Sequence, residues 1–216
     1  MLDLSMVSYI CMNGRENDLE RTAFITKLIN KTSEIIKFKE ILFLTATEPS
    51  EKINCKLIRI KEQTYDDYGL NAFQNFHKWC KSDYIMIFQD DGFAVNPHNW
   101  SNLFLNYDYV GAPWKHSSWS SPGKEIGNGG FSLRSRKLYE ECSKLRYVRG
   151  SHEDGLICVS YRNFLIDKGI KFADLNTGYK FSVEGPFDED HDLEKTFGFH
   201  ASRHLEKAKK ILEIEQ

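Results

Sequence analysis

The sequence has no surplus of either charge, no long apolar run, no paired cysteines and no repeat. Its 216 residues carry 29 Lys and Arg against 31 Asp and Glu. No bulk field therefore draws it to nucleic acid or an anionic membrane. No apolar run approaches the roughly eighteen residues that a spanning helix needs. The apolar stretch at 1–13 is broken by Asp3, Ser5 and Ser8 and follows no basic segment, unlike a signal peptide. No integral membrane segment is expected. Five cysteines (Cys11, Cys55, Cys80, Cys142, Cys158) are odd in number, scattered and without a C-x-x-C pair. Reduced core thiols in a cytoplasmic protein are expected, not a disulfide framework or a zinc ribbon.

What is present is an ordinary folding composition, 41% hydrophobic and 28% charged, on a chain of one-domain length. Aromatics are the outlying class: ten Tyr, fifteen Phe and four Trp, several beside Gly, Asn or Asp. Apolar runs at 6–10, 41–44, 57–60, 84–88 and 107–110 read as strands. Between them, 16–32 and 66–80 have helical spacing, as do 135–145, 153–168 and 203–215 later on. Strand–helix alternation over the first ninety or so residues implies βαβ units. The fold class expected is α/β: one domain, a mostly parallel mixed sheet with helices on both faces.

Four segments carry candidate chemistry. The strand at 84–88 runs into Gln89-Asp90-Asp91-Gly92, which puts two carboxylates where open α/β sheets bind ligands. Hard oxygen ligands there suit Mg²⁺ or Mn²⁺; a plain Asp-Asp-Gly turn is the alternative. A long irregular stretch holds Tyr-Asp-Tyr-Val-Gly-Ala-Pro-Trp (107–114) and Asn128-Gly129-Gly130-Phe131-Ser132-Leu133-Arg134. The two glycines allow close backbone approach or serve only as a hinge, and Trp114 and Trp119 could face sugar rings or belong to the core. After the glycines, Phe131 and Leu133 alternate with Ser132 and Arg134, as in a half-exposed strand. Glu153-Asp154 at the head of a helix suits either dipole complementation or a general base of low pKa. Phe-Gly-Phe-His (197–200) places an imidazole before the last helix.

These motifs in this order resemble the GT-A glycosyltransferases and, more narrowly, the GT-A-like family called DUF5672, over about 68–200. The resemblance implies transfer of a sugar from a nucleotide-sugar donor, UDP-sugar favoured, to a glycan or lipid-linked glycan acceptor. It implies metal ligands at Asp91 and His200 holding Mn²⁺ or Mg²⁺, and a base at Asp154 in preference to Glu153. On the same resemblance, the domain divides into residues 1–92, a nucleotide-binding βαβ half, and 93–216, an acceptor and catalytic half. Donor and acceptor contacts would fall on Gln89, Asp90, Trp114, Asn128, Gly129, Gly130 and Arg134. Gln89 stands where many such enzymes carry a first Asp. Inverting transfer in cell-surface polysaccharide synthesis follows, in the cytoplasm or peripheral to the inner membrane. A non-catalytic sugar- or nucleotide-binding module and a metal-dependent phosphoesterase are the alternatives. Phe73, Phe76, Phe88 and Phe164 have core spacing, whereas Tyr107, Tyr109, Trp114, Trp119, Phe131 and Phe199 are candidates for stacking on base or sugar.

Overall fold

The computed structural model describes residues 1–114, 124–185 and 188–214. The apolar runs become strands β1 (Leu2–Asn13), β2 (Ile36–Thr45), β3 (Lys56–Arg59), β4 (Tyr84–Ile87) and β5 (Tyr109–Val110). A sixth strand, β6, is Ser132–Ser135. They pair in the order β3-β2-β1-β4-β6-β5. The first four are mutually parallel, and β6 runs antiparallel to both β4 and β5.

Alternation along each strand sends side chains to two separate cores, as the pleat requires. Tyr9, Cys11, Phe43, Met86 and Phe88 pack on one face with Leu28 and Ile29 of α1 (Leu19–Ile35). Ile10, Met12, Leu42, Leu44, Ile85 and Ile87 face the other side with Ala72, Phe76 and Tyr139. This second face is covered by α2 (Tyr65–Leu70), a π-helical turn at Asn71–Asn75 and α3 (Arg136–Cys142). Helices cover both faces, as expected for near-continuous apolar strands.

Three sequence expectations change. The helix expected over 153–168 is broken into α4 (Glu153–Gly155), a π-helical turn Leu156–Ser160 and α5 (Arg162–Asp167). On α5, Phe164 is 42% exposed, with Lys168 over its ring. The half-exposed strand expected at 131–134 is buried on both sides, because β6 lies between β4 and β5 with layers above and below. Beyond the last predicted strand, α6 (Leu175–Phe181) leads into β7 (Ser182–Val183), which pairs with β8 (Gly198–Phe199). The C-terminal helix α7 is Leu205–Ile211. Among the described residues, no helix is long and apolar enough to cross a membrane.

Topology decides where the chemistry gathers. Parallel β1 and β4 both end at one sheet edge, so Asn13-Gly14 and Gln89-Asp90 are neighbours there. Because β6 is antiparallel to β4 and Ser132 pairs with Ile87, the Gly129-Gly130 turn opens at the same edge.

Candidate active site

Two adjoining hollows occupy this edge. The larger, about 600 Å³, lies between the end of β1, the start of α1, the start of α2 and Gln89–Asp91. The smaller, about 300 Å³, is enclosed by the Gly129-Gly130 turn, the start of α4 and His200. Tyr65, Tyr68 and Gln89 line both. Thr64 caps α2 through a reciprocal capping box with Asp67, and this fixes the direction from which Tyr65 and Tyr68 enter the cleft.

His200 is set by backbone pairing. Its N–H donates to Val183 O, and Ala201 N–H donates to Asp91 O. Ala201 takes φ +100°, which a non-glycine residue holds only when its surroundings dictate it. The imidazole lies between two glycines: an added Cβ would stand 2.6 Å from its Cδ2 at Gly92 and 2.1 Å from its Nε2 at Gly130. Gly130→Ala is therefore expected to expel the ring from its place, since a carbon cannot share that space. A crystal structure or the His200 imidazole resonances would report the displacement, and an unmoved ring would refute the packing argument.

His200 Nε2 faces Asp91 Oδ1 at 3.6 Å and Gln89 Oε1 at 3.3 Å. Its Nδ1 faces Glu184 Oε1 at 3.4 Å and the Asn128 amide at 2.9 Å. Burial disfavours the imidazolium, but the Glu184 hydrogen bond and the Asp91 charge outweigh it and raise the His200 pKa. Burial likewise opposes the Glu184 carboxylate, yet hydrogen bonding to His200 wins and lowers its pKa. Asn128, in the left-handed region at φ +56°, leaves its Oδ1 buried without a partner. Exchanging the amide's O and N, which look alike in shape, would let Oδ1 accept from His200 Nδ1–H.

That arrangement fits a divalent cation. Donor atoms bound side by side to an ion at about 2.1 Å stand about 3 to 3.5 Å apart, close to the separations around Nε2. A ligating histidine also needs its other nitrogen held by a carboxylate or carbonyl, the place Glu184 and Asn128 occupy. Among the described residues, no three His, Cys, Asp or Glu side chains converge as a metal site. Asp91 and His200 supply two donors, and the Gln89 amide is the other polar oxygen against Nε2. Gln89 Nε2 donates to Tyr68 OH at 2.6 Å, which turns Oε1 toward His200.

Asp154 and Glu153 both line the smaller hollow but hold different partners. Glu153 points inward to Arg134 at 3.0 Å, both side chains being buried. Asp154 borders the smaller hollow; its Oδ2 accepts from Gly129 N–H at 2.9 Å and its Oδ1 from Gly155 N–H at 2.7 Å. Burial first, then the Glu153 charge, raise the Asp154 pKa to about 6. The helix-start reading anticipated a lowered value. The backbone N–H groups of Gly129 and Gly155 do act to lower it, but burial outweighs them.

The remaining expected contacts divide. Asp90 lines the larger hollow and is ion-paired with Arg21. Trp114 edges the smaller hollow but is only 8% exposed, its indole packed against Gly127. Gly130 lines that hollow, whereas Gly129 packs on Glu153 and Arg134. Arg134 reaches neither hollow: it is fully buried beneath the glycine turn, so the expected ligand contact is corrected. Tyr109, Phe131 and Phe199 are also fully buried and offer no stacking face. Tyr107 donates to Asp174, and Trp119 lies outside the described residues. Tyr65 and Tyr68 line the cleft as well, and sequence reasoning missed them along with Arg15, Arg21 and Glu184. The Thr64-x-x-Asp67 capping box before Tyr68 was the available signal.

A mixed sheet in this order, with a ligand cleft across the carboxyl ends of β1 and β4, is the GT-A-like α/β fold. The chain aligns over 97% of its length with 99% of a glycosyltransferase involved in the glycosylation of the major capsid of PBCV-1, at TM-score 0.52 and 13% identity. It also aligns over 98% of both chains with the inositol-1-phosphate CTP transferase from T. maritima, at TM-score 0.52 and 10% identity. At such identities the likeness is one of fold. The chain belongs to the family described as protein of unknown function (DUF5672), whose model matches residues 61–200. No curated protein matches it.

Proposed function

We propose that the protein is a glycosyltransferase moving a sugar from a nucleotide-sugar donor, a UDP-sugar favoured, to a glycan or lipid-linked glycan hydroxyl, with inversion. The observation that carries this reading is a carboxyl of raised pKa, Asp154, in the same small hollow as His200, opening into a larger one that suits a nucleotide. A base with pKa near the working pH is the kind that accepts a proton efficiently.

The nucleotide would lie in the larger hollow, with Arg15 and Arg21 on its charged wall and Tyr65 and Tyr68 as flat surfaces. The sugar would enter the smaller hollow past Gln89. Asp154 takes the proton of the acceptor hydroxyl; the oxygen bonds to the anomeric carbon as the bond to the diphosphate oxygen breaks on the opposite face. One displacement inverts the centre, and the bonding pair leaves with the diphosphate. Asp91 and His200 would hold Mn²⁺ or Mg²⁺, with Gln89 Oε1 beside them. Such an ion supplies Lewis-acid neutralisation of diphosphate charge. Glu184 orients His200, and Trp114 closes the far wall. A role in cell-surface polysaccharide synthesis, from the cytoplasm or the inner-membrane surface, is part of the same proposal.

A thermal-shift screen of nucleotide sugars with and without Mn²⁺ tests the reading. A ligand that binds only the native state raises Tm in proportion to ln(1 + [L]/Kd). Stabilisation by one nucleotide-sugar class, followed by transfer to a glycan acceptor, is expected. Release of phosphate from simple esters, or tight binding with neither transfer nor donor hydrolysis, would overturn it.

A further inference from the structure

A guanidinium removed from water must have its donors satisfied within the protein. Arg134 makes four hydrogen bonds to three separate segments. Its Nε donates to Ser132 Oγ at 3.0 Å, and its Nη1 to Ala72 O, in the π-helical turn after α2, at 2.8 Å. Its Nη2 donates to Gly129 O at 3.3 Å and to Glu153 Oε1 at 3.0 Å. Gly129 is thereby gripped at both ends, its carbonyl by Arg134 and its N–H by Asp154. An added Cβ at Gly129 would stand 2.0 Å from Glu153 Oε1, so the turn rests directly on the pair.

Stability alone gives little reason for this pair. An apolar pair of similar volume is often neutral or better in such a place. What the pair does achieve is geometric: it ties the glycine turn to the first turn of α4, the two pieces that meet at Asp154. We propose that Arg134 and Glu153 are positioning residues, a buried ion pair that locks Gly129 and so fixes the direction in which Asp154 presents its carboxylate to the acceptor. This rests on the base role proposed for Asp154.

Among the described residues, several charged and titratable groups surround Asp154. Glu153 comes from its own turn, Arg134 from β6, His200 from the segment after β8, and Tyr65 from α2. The buried Tyr109 and Cys158 lie close as well, and Tyr68, His152 and Glu184 line the same hollow. Of these, Glu153 is the like charge nearest in the chain, and removing it relieves repulsion on the Asp154 carboxylate. Leaving Arg134 unpaired acts in the same direction.

The test follows the Asp154 carboxyl by ¹³C NMR, its resonance assigned by its loss in D154N, together with kcat and KM. Glu153→Gln is expected to move the Asp154 midpoint down by about one pH unit. It should lower kcat on the order of 10²-fold with donor KM unchanged, the signature of misplacement. R134M/E153M, which removes both charges at similar volume, should fold with near-native Tm and keep the kcat loss; it carries the test if Glu153→Gln does not fold. Wild-type kcat in the double variant, or an unmoved Asp154 midpoint in Glu153→Gln, would overturn the inference. Abolished transfer in Glu153→Gln with that midpoint unmoved would make Glu153 the base itself. Should the wild type transfer nothing while the midpoint still shifts, the proposed function fails and the pair's hold on Asp154 stands.

Discussion

Asp154→Asn is expected to lower kcat by about 10³-fold while donor binding persists, because an amide of the same shape accepts no proton. The pH dependence carries the same assignment. With a midpoint near 6, wild-type transfer should rise with pH through that value and level off above about 7. Stability should move in the opposite sense. The folded protein holds a proton on Asp154 up to about 6, whereas the unfolded carboxyl releases it near 3.8. Where the folded state binds more protons, stability falls as pH rises. Wild type should therefore lose Tm relative to D154N between about pH 4 and 6, and the variant should be at least as stable at pH 7. An inactive D154N that is also less stable at pH 7 would point to a structural carboxylate. Full activity in D154N, with Glu153→Gln dead, would exchange the two roles.

Asp154 also marks the boundary of what the sequence could disclose. Strands were legible because apolar runs of four to six residues, bounded by polar punctuation, have few other uses. The carboxylates after β4 were legible because the end of a parallel strand is where ligands gather. Residues brought in from a distance left no such mark. Glu184 reaches His200 only because β7 pairs with β8, and two-residue strands leave no periodicity to read. Tyr68 meets Gln89 from a helix whose apolar spacing looked purely structural. Burial was the systematic error. The resemblance and a strand read as half-exposed put Arg134 at a ligand, and clustering around the motif segments put Tyr109, Phe131 and Phe199 there. Each lies under the site, where the glycines let backbone and rings approach closely. Phe164 erred the other way: the helix that would have buried it is interrupted by the π-helical turn before α5.

Charge at the cleft makes the second large effect concern the cation. The larger hollow sets two guanidiniums, Arg15 and Arg21, against the carboxylates of Asp18, Glu20, Asp90 and Asp91. Arg21 is already taken by Asp90. A diphosphate entering that wall meets net negative charge, and the near-neutral protein supplies no long-range field to offset it. A divalent cation at Asp91 and His200 would reverse the local sign. Chelation of divalent ions is therefore expected to abolish both nucleotide-sugar binding and transfer, with Mn²⁺ restoring them. His200→Ala should cost about 10²- to 10⁴-fold in kcat/KM, the range spanned by several kcal/mol of lost charge stabilisation. In calorimetry, Mn²⁺ should tighten UDP binding to wild type and fail to do so in His200→Ala and Asp91→Ala, with folds intact by circular dichroism. Gln89→Asp adds an anionic oxygen beside Nε2 and should strengthen Mn²⁺ binding without nucleotide. If Asp91→Ala and His200→Ala bind UDP as tightly as wild type in Mn²⁺, these residues hold no cation, and the positive charge the diphosphate requires must come from the arginines alone.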